Sequence, residues 1–349
     1  MFNLNPLTVK QIKRFKSIRR GYFSLIVFII LIVFSIFAEL FVNNRALLVK
    51  YNEKYYFPTY GDIIPGKVFG LDYEYETNYK DLDRIFRSTN SDNYVILPLV
   101  PYNAFENDLK DNAFPPFPPS VRERHFFGTD KTGRDIAARL VYGFRIAILF
   151  SLFLLAANYV TGISIGCLMG YIGGKFDLFF QRIIEIWSNI PYLYAIIIIS
   201  SIIIPSFSSL LLIMIFFGWI SMTWYMRTAT YKEKEREYVL AARALGASNL
   251  RIIFKHIIPN TISIIVTFVP FSIASGITAL TALDYLGFGM PPPTPSWGQL
   301  LSEASEYTTS ASWIGISVIS ALVIVLTMVT FIGEAIREAL DPRMHMTYE

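Results

Sequence analysis

Five stretches of the chain carry no Asp, Glu, Lys or Arg: Gly21 to Ala38, Ile146 to Gly174, Ile186 to Met226, His256 to Leu283 and Tyr307 to Gly333. A helix crosses the hydrocarbon core of a bilayer with about 20 apolar residues. The third stretch is long enough for two crossings and has Pro205-Ser206-Phe207-Ser208-Ser209 near its middle. The pattern therefore predicts six spans, at 21–42, 145–169, 179–204, 210–228, 260–283 and 312–333. The runs are too long and too continuously apolar for barrel strands, so the expected fold class is an all-α polytopic membrane protein.

Composition agrees. Of 349 residues, 53% are apolar and only 17% charged, and the 29 Phe and 21 Tyr suit interfacial aromatics. A net charge of +4 is too weak to point to nucleic acid. The single cysteine, Cys167, excludes an intrachain disulfide. His125, His256 and His345 lie far apart without zinc-type spacing, so no metal site is expected and each reads as a surface or interface histidine.

Lys10, Lys13, Arg14, Lys16, Arg19 and Arg20 make residues 1–20 a basic tail without acids. The positive-inside rule places it in the cytoplasm, and six spans return the C-terminal tail, 339–349, to the same side. Residues 229–259, rich in Lys and Arg, are expected in the cytoplasm, and the Lys- and Arg-free stretch from Tyr285 to Trp313 outside. The first apolar run is too long for a signal-peptide h-region, and Ala38-Glu39-Leu40 is a poor cleavage site, so it reads as an uncleaved span. Residues 143–338 then form a core of five spans. Between the first two spans, 43–142 is a large extracytoplasmic loop with 13 Lys/Arg against 14 Asp/Glu. It holds an aromatic string, Tyr55-Tyr56-Phe57-Pro58, and an extended Phe114-Pro115-Pro116-Phe117-Pro118-Pro119 segment. Either a small cap on the helices or a docking surface for an external partner fits it.

Several chemistries lack their residues. Gly170-Tyr171-Ile172-Gly173-Gly174-Lys175-Phe176 has the wrong spacing for a Walker A loop. There is no Gly-x-Ser-x-Gly elbow and no His-Glu-x-x-His. No carboxylate pair falls in mid-span: Arg182, Glu185, Asp284 and Glu334 sit near span ends, and Arg182 with Glu185 reads as a local ion pair. An ion- or proton-coupled secondary transporter or channel is the alternative, but its mid-span coupling groups are missing. An intramembrane enzyme would need a convergent catalytic set, so no catalytic residue is assigned.

The informative segment follows the fourth span. Glu233 to Leu245 is built of helix formers, Gly246 stands where a left-handed C-terminal residue is wanted, and Ser248 or Asn249 caps the next helix. Ala241, Ala242, Ala244 and Ala247 leave a smooth patch suited to insertion into a partner's groove.

These residues resemble the EAA motif of binding-protein-dependent ABC importer permeases. Ala241-Ala242, Gly246 and Ile258-Pro259 match, while Leu240 stands where the motif has Glu, the nearest acid being Glu237. Phe127-Gly128-Thr129-Asp130-Lys131-Thr132-Gly133-Arg134-Asp135 resembles a signature of the second permease in the dipeptide/oligopeptide branch. Asp284-Tyr285-Leu286-Gly287-Phe288-Gly289 with Pro292-Pro293-Thr294-Pro295-Ser296-Trp297-Gly298 resembles that branch's late external loop. The enlarged first loop further resembles the Yej-type permeases, linked to uptake of peptides and microcin C.

The resemblance implies a type I ABC importer permease fold in the cell inner membrane. It implies a heterodimer with a homologous permease, two cytoplasmic ATPases that carry the ATP and Mg, and an extracytoplasmic solute-binding protein. This chain would need no cofactor. Glu237, Ala241, Ala242, Gly246, Ala247, Ser248 and Pro259 would form the ATPase-docking coupling loop, and Gly128, Thr129, Asp130, Gly133, Arg134 and Asp135 an extracytoplasmic motif. No residue is assigned to substrate. Beside this, residues 134–145 read as an amphipathic helix that Asp130 or Asp135 fixes by pairing with Arg134 or Arg139.

Overall fold

A computed structural model describes residues 6–89, 92–110 and 113–341. His345 and most of the C-terminal tail lie outside the described residues. The order is α1 (Pro6–Ser17), α2 (Arg19–Ile36), β1 (Leu48–Tyr51), β2 (Lys54–Tyr56), α3 (Tyr79–Ser88) and β3 (Tyr94–Ile96). Then come α4 (Ile136–Ile172), α5 (Gly174–Ser188), α6 (Tyr192–Ile202), α7 (Phe207–Gly218) and α8 (Ile220–Glu233). The chain continues through α9 (Glu237–Ala244), α10 (Asn249–Ile252), α11 (Ile258–Tyr285), α12 (Trp297–Glu306) and α13 (Ser312–Leu340). Among the described residues, five helices or joined helices are long and apolar enough to cross a membrane: Arg19–Ile36, Ile136–Ile172, Phe207–Glu233, Asn249–Tyr285 and Ser312–Leu340.

The sixth crossing differs from expectation. Instead of one helix over 179–204, α5 and α6 meet at a bend of 72°. Pro191 is the cause: it has no N–H to donate and disfavours helical backbone at Ile190. The loosened backbone is still satisfied, with Ile190 N donating to Trp187 O at 3.1 Å and Asn189 Nδ2 to Glu185 O at 2.7 Å. The amphipathic stretch expected before the second span is the first three turns of α4 itself. Residues 6–17 of the basic tail are helical and packed on α13, where Arg14 Nη1 donates to Asp341 O at 3.3 Å.

Close packing of α4 on α8 depends on three glycines four residues apart. A Cβ at Gly162 would lie 2.8 Å from Met222 Cβ, at Gly166 2.5 Å from Thr223 O, and at Gly170 2.6 Å from Arg227 O. This small-xxx-small spacing lets helix backbones touch inside a membrane. Arg227 then grips α5, its Nε and Nη2 each 2.6 Å from an Asp177 oxygen. Arg182 Nη1 lies 2.5 Å from Glu185 Oε2, the local pair expected.

The 43–142 segment is a folded cap. It contains an antiparallel sheet in the order β2-β1-β3, an element the sequence reading did not foresee. The sheet closes a small core of its own: Val49 and Val95 pack with Phe69, Tyr79, Leu82 and Phe86. Phe114 to Pro119 is free of regular structure, as its prolines dictate.

Candidate functional site

Residues 229–259 have the predicted break at Gly246, but the helix before it begins one turn later than expected. The first helix starts at Glu237 rather than Glu233, after a turn at 234–236. Gly246 has φ +81°. Its N–H donates to Arg243 O at 3.0 Å and the Ala247 N–H to Ala242 O at 3.1 Å, the double bond of a Schellman cap. The Ser248 hydroxyl accepts from Arg251 N at 3.4 Å and caps α10. Between α10 and α11 the helix widens over Ile253–Ile257, where Ile258 N donates five residues back to Ile253 O. Pro259, exposed and lacking an N–H, removes the ordinary bond at that turn.

The alanine patch divides. Ala242 and Ala247 turn inward onto the cluster of Tyr171, Val239, Ile252 and Ile257, while Ala241 and Ala244 face outward. The outward surface is thus more apolar than a smooth alanine patch. Leu240, Leu250 and Phe254 are exposed on it, and Leu245 is 88% exposed. Glu237 is exposed at the N-terminus of α9.

The second motif is buried, contrary to a solvated charge pair. Asp130 takes both arginines: its Oδ2 accepts from Arg134 Nε at 2.7 Å and from Arg139 Nη1 at 2.5 Å. Its Oδ1 accepts from Thr132 N at 2.8 Å and Arg134 N at 3.0 Å. Burial works to raise the Asp130 pKa, but Arg139, Arg134 and Thr132 outweigh it and hold the carboxyl below the usual range. Arg139 also reaches Glu303 Oε1 at 3.0 Å and Gln299 Oε1 at 3.1 Å on α12. Thr129 Oγ1 accepts from Phe117 N at 2.7 Å, and Trp313 Nε1 donates to Thr129 O at 3.3 Å. Gly128 and Gly133, at φ +77° and +86°, carry the tight turns. Gly133 leaves no room for a Cβ, which would lie 2.6 Å from Asp108 O.

Asp135 pairs with neither arginine. Its Oδ1 accepts from Ala138 N at 2.8 Å and caps α4, and its Oδ2 lies 2.7 Å from His125 Nδ1. This corrects the reading of His125 as a surface residue. It is fully buried, stacked on Tyr102 at 3.9 Å between ring centroids, with Nε2 3.1 Å from Asp108 Oδ2. Burial pushes its pKa down, but the bonds to Asp108 and Asp135 prevail and hold it above the ordinary value. The His125 bond, aided by Lys80 and Lys110, holds Asp108 low against its own burial. A histidine raised on folding stabilises fully below about pH 6.5, and that stability is lost as pH rises through the higher folded value. Asp108 contributes fully above about pH 3.9 and loses its share as pH falls through the depressed folded value. We expect the cap to be most stable between these limits. Thermal unfolding against pH should show the alkaline-side loss in the parent and not in His125→Gln.

The loop after α11, Leu286 to Ser296, folds onto the same region. Asp284 Oδ1 accepts from Met290 N at 2.7 Å, and Oδ2 takes the Ser296 hydroxyl. Trp297 Nε1 donates to Leu140 O at 2.9 Å. Two motifs about 150 residues apart in sequence thus form one continuous latch over the start of α4.

A cavity of about 570 Å³ opens among α4, the α5–α6 bend, α7, α8 and α11. Trp187, Tyr192, Tyr225 and Phe268 supply aromatic walls, and Asn158 and Ser275 polar points. The Asn158 Oδ1 is buried without a hydrogen-bond partner. Spacing alone had given no residue here; the signal present was the Pro191 break, since non-helical backbone at membrane depth borders a cavity.

The fold and these motifs define a membrane-embedded transport subunit. Residues 162–346 match the family model described as "Binding-protein-dependent transport system inner membrane component". The chain belongs to that family. It is 38% identical over 342 residues to the inner membrane ABC transporter permease protein YejE of Escherichia coli, covering 98% of this chain and 99% of that one. It is 36% identical over 360 residues to the peptidoglycan transport system permease protein YejE of Agrobacterium fabrum, covering 97% and 94%. Similarity to the dipeptide transport system permease protein DppC of Bacillus subtilis is 31% over 248 residues, covering 70% of this chain and 76% of that one. The chain is therefore a multi-pass inner-membrane permease subunit rather than an enzyme, and its family works with ATPase and binding-protein subunits. Nothing in the comparisons favours a stand-alone secondary transporter or channel.

Proposed function

We propose that this chain is one of two homologous permeases in an ABC importer for peptides. The cap and the loop after α11 face outward, and both termini and residues 229–259 face the cytoplasm. One observation carries the reading: α9 and its Gly246 cap lie between two of the apolar helices, Phe207–Glu233 and Asn249–Tyr285, and carry an outward apolar surface. Such a surface, next to scattered positive charge, suits a groove on a separate ATPase. Two ATPases carrying ATP and Mg close on each other, the coupling units move with them, and the spans rock around the cavity. The ligand-driven shift is only as large as the partners' difference in affinity for the two states.

The names of the relatives support peptides as the substrate class. Asn158 and Ser275 are suited to peptide main-chain groups and the aromatic walls to side chains. The Agrobacterium relative's name also makes peptide-bearing peptidoglycan fragments a cargo to compare.

The test is uptake by the assembled transporter in proteoliposomes. Labelled peptide should enter only with binding protein on the face carrying 43–142 and ATP on the face carrying 229–259. Uptake without ATP, or with the two requirements exchanged, overturns the reading. Preference for the peptidoglycan fragment over free peptide would reassign the cargo.

A further inference from the structure

Exposed apolar side chains run the length of α2, including Ile30, Val33 and Ile36, and continue past the helix end onto Phe37 and Phe41. In a membrane-spanning helix this is the face that lipid covers. The exposure does not stop at the helix. On the cap, Phe57, Tyr60 and Ile63 are 68%, 66% and 62% exposed.

Several contacts fix the height of this loop. Arg145 Nε donates to Ser35 O at 2.5 Å, and Arg145 Nη1 pairs with Glu39 Oε1 at 2.8 Å, so the guanidinium marks the end of α2. Tyr142 Oη donates to Val42 O at 2.9 Å. Tyr60 lies near Tyr142 and Arg145. Thr59 Oγ1 donates to Ala46 O at 2.8 Å, and Arg45 Nη1 to Gly61 O at 3.4 Å. Residues 57–63 are thereby tied to the chain just beyond α2, near the Arg145–Glu39 pair and Tyr142.

We propose that Phe57, Tyr60 and Ile63 form an interfacial anchor that seats the cap in the lipid headgroup layer beside α2. The cap's own core is closed by other residues, so folding of the cap does not account for these three. Aromatic rings with a polar tip settle at the boundary between hydrocarbon and headgroups. Charged side chains at that depth keep a partner or reach water, as Arg145 with Glu39 does. The partner is thus a lipid surface, continuous with the lipid-covered face of α2. The proposal is independent of which side of the membrane the cap occupies and of the cargo.

The experiment places a nitroxide at Asp62→Cys in a Cys167→Ala background, in the assembled transporter in lipid nanodiscs. Asp62 is exposed and lies between the anchor residues, which stay intact. Power saturation with oxygen and with a water-soluble nickel chelate reports depth. Reference labels sit at Ile324, exposed on α13, and at Glu235, exposed in the loop before α9. The label at 62 should fall between the two references. Adding Phe57→Ser and Tyr60→Ser should move it to the Glu235 value while the thermal stability measured in detergent stays unchanged. Accessibility equal to that at Glu235 without those changes overturns the proposal. So does protection from both reagents, which would assign the patch to a protein partner.

Discussion

Gly246→Asp should leave the protein in the membrane at its normal level and abolish uptake, with ATPase subunits poorly retained in a pull-down. Insertion is governed by the hydropathy of the spans, which the substitution does not touch. The backbone penalty is modest: a side chain with a Cβ at φ +81° costs roughly 1 kcal/mol. Nor does bulk clash within the chain, since a Cβ there meets nothing within 4 Å. The cause of the expected loss therefore lies outside the chain's own packing. If an ATPase docks on the surface around Leu245, as proposed, a carboxylate placed in that open space must be desolvated on docking. Gly246→Asn is the control, because Asn tolerates the left-handed region and adds no charge. It should retain ATPases and much of the uptake. Normal transport by the aspartate variant would reduce residues 229–259 to a linker. Equal loss in both variants would make the defect one of side-chain bulk or backbone rather than of charge.

Much of the architecture was legible because it depends on local chemistry. Uncharged runs located five apolar helices and the bent α5–α6 pair, and the glycine–serine pair at 246 and 248 located a turn and a cap that the structure contains. What escaped depends on long-range packing. Pro191 signalled the break in the third crossing, but hydropathy averages over a single proline. The Gly162–Gly166–Gly170 spacing was visible and meant close helix contact, yet nothing local said that α8 was the partner. The cap's sheet has strands of three and four residues, too short to show alternation. His125 looked isolated because its partners lie 10 and 17 residues away in irregular chain. The cavity is assembled from six helices, so no sequence window contains it.

Arg139→Ala has the largest expected effect on stability. Arg139 is fully buried, and its Nη1 serves Asp130 and Glu303 together. Removing it leaves two carboxylates, both buried, facing each other with only Arg134 between them, at 2.7 Å from Asp130 and 3.6 Å from Glu303. Breaking a buried pair by deleting one partner costs ~3–5 kcal/mol, because the remaining charge is uncompensated. The latch holds the cap, the start of α4 and α12 together, so the loss should appear as a lower melting temperature in detergent and less protein in the membrane. Arg139→Lys should recover only part, since an ammonium cannot fork to Gln299 and the two carboxylates at once. Asp130→Asn combined with Arg139→Met should be less damaging than Arg139→Ala, because no unpaired charge is left at Asp130. Asp135→Asn should be milder still: asparagine caps a helix as well as aspartate does, and only the charge beside His125 is lost. An Arg139→Ala protein as stable as the parent would mean that water, rather than Arg139, neutralises Asp130 and Glu303, and that the 127–135 motif does not fasten the cap.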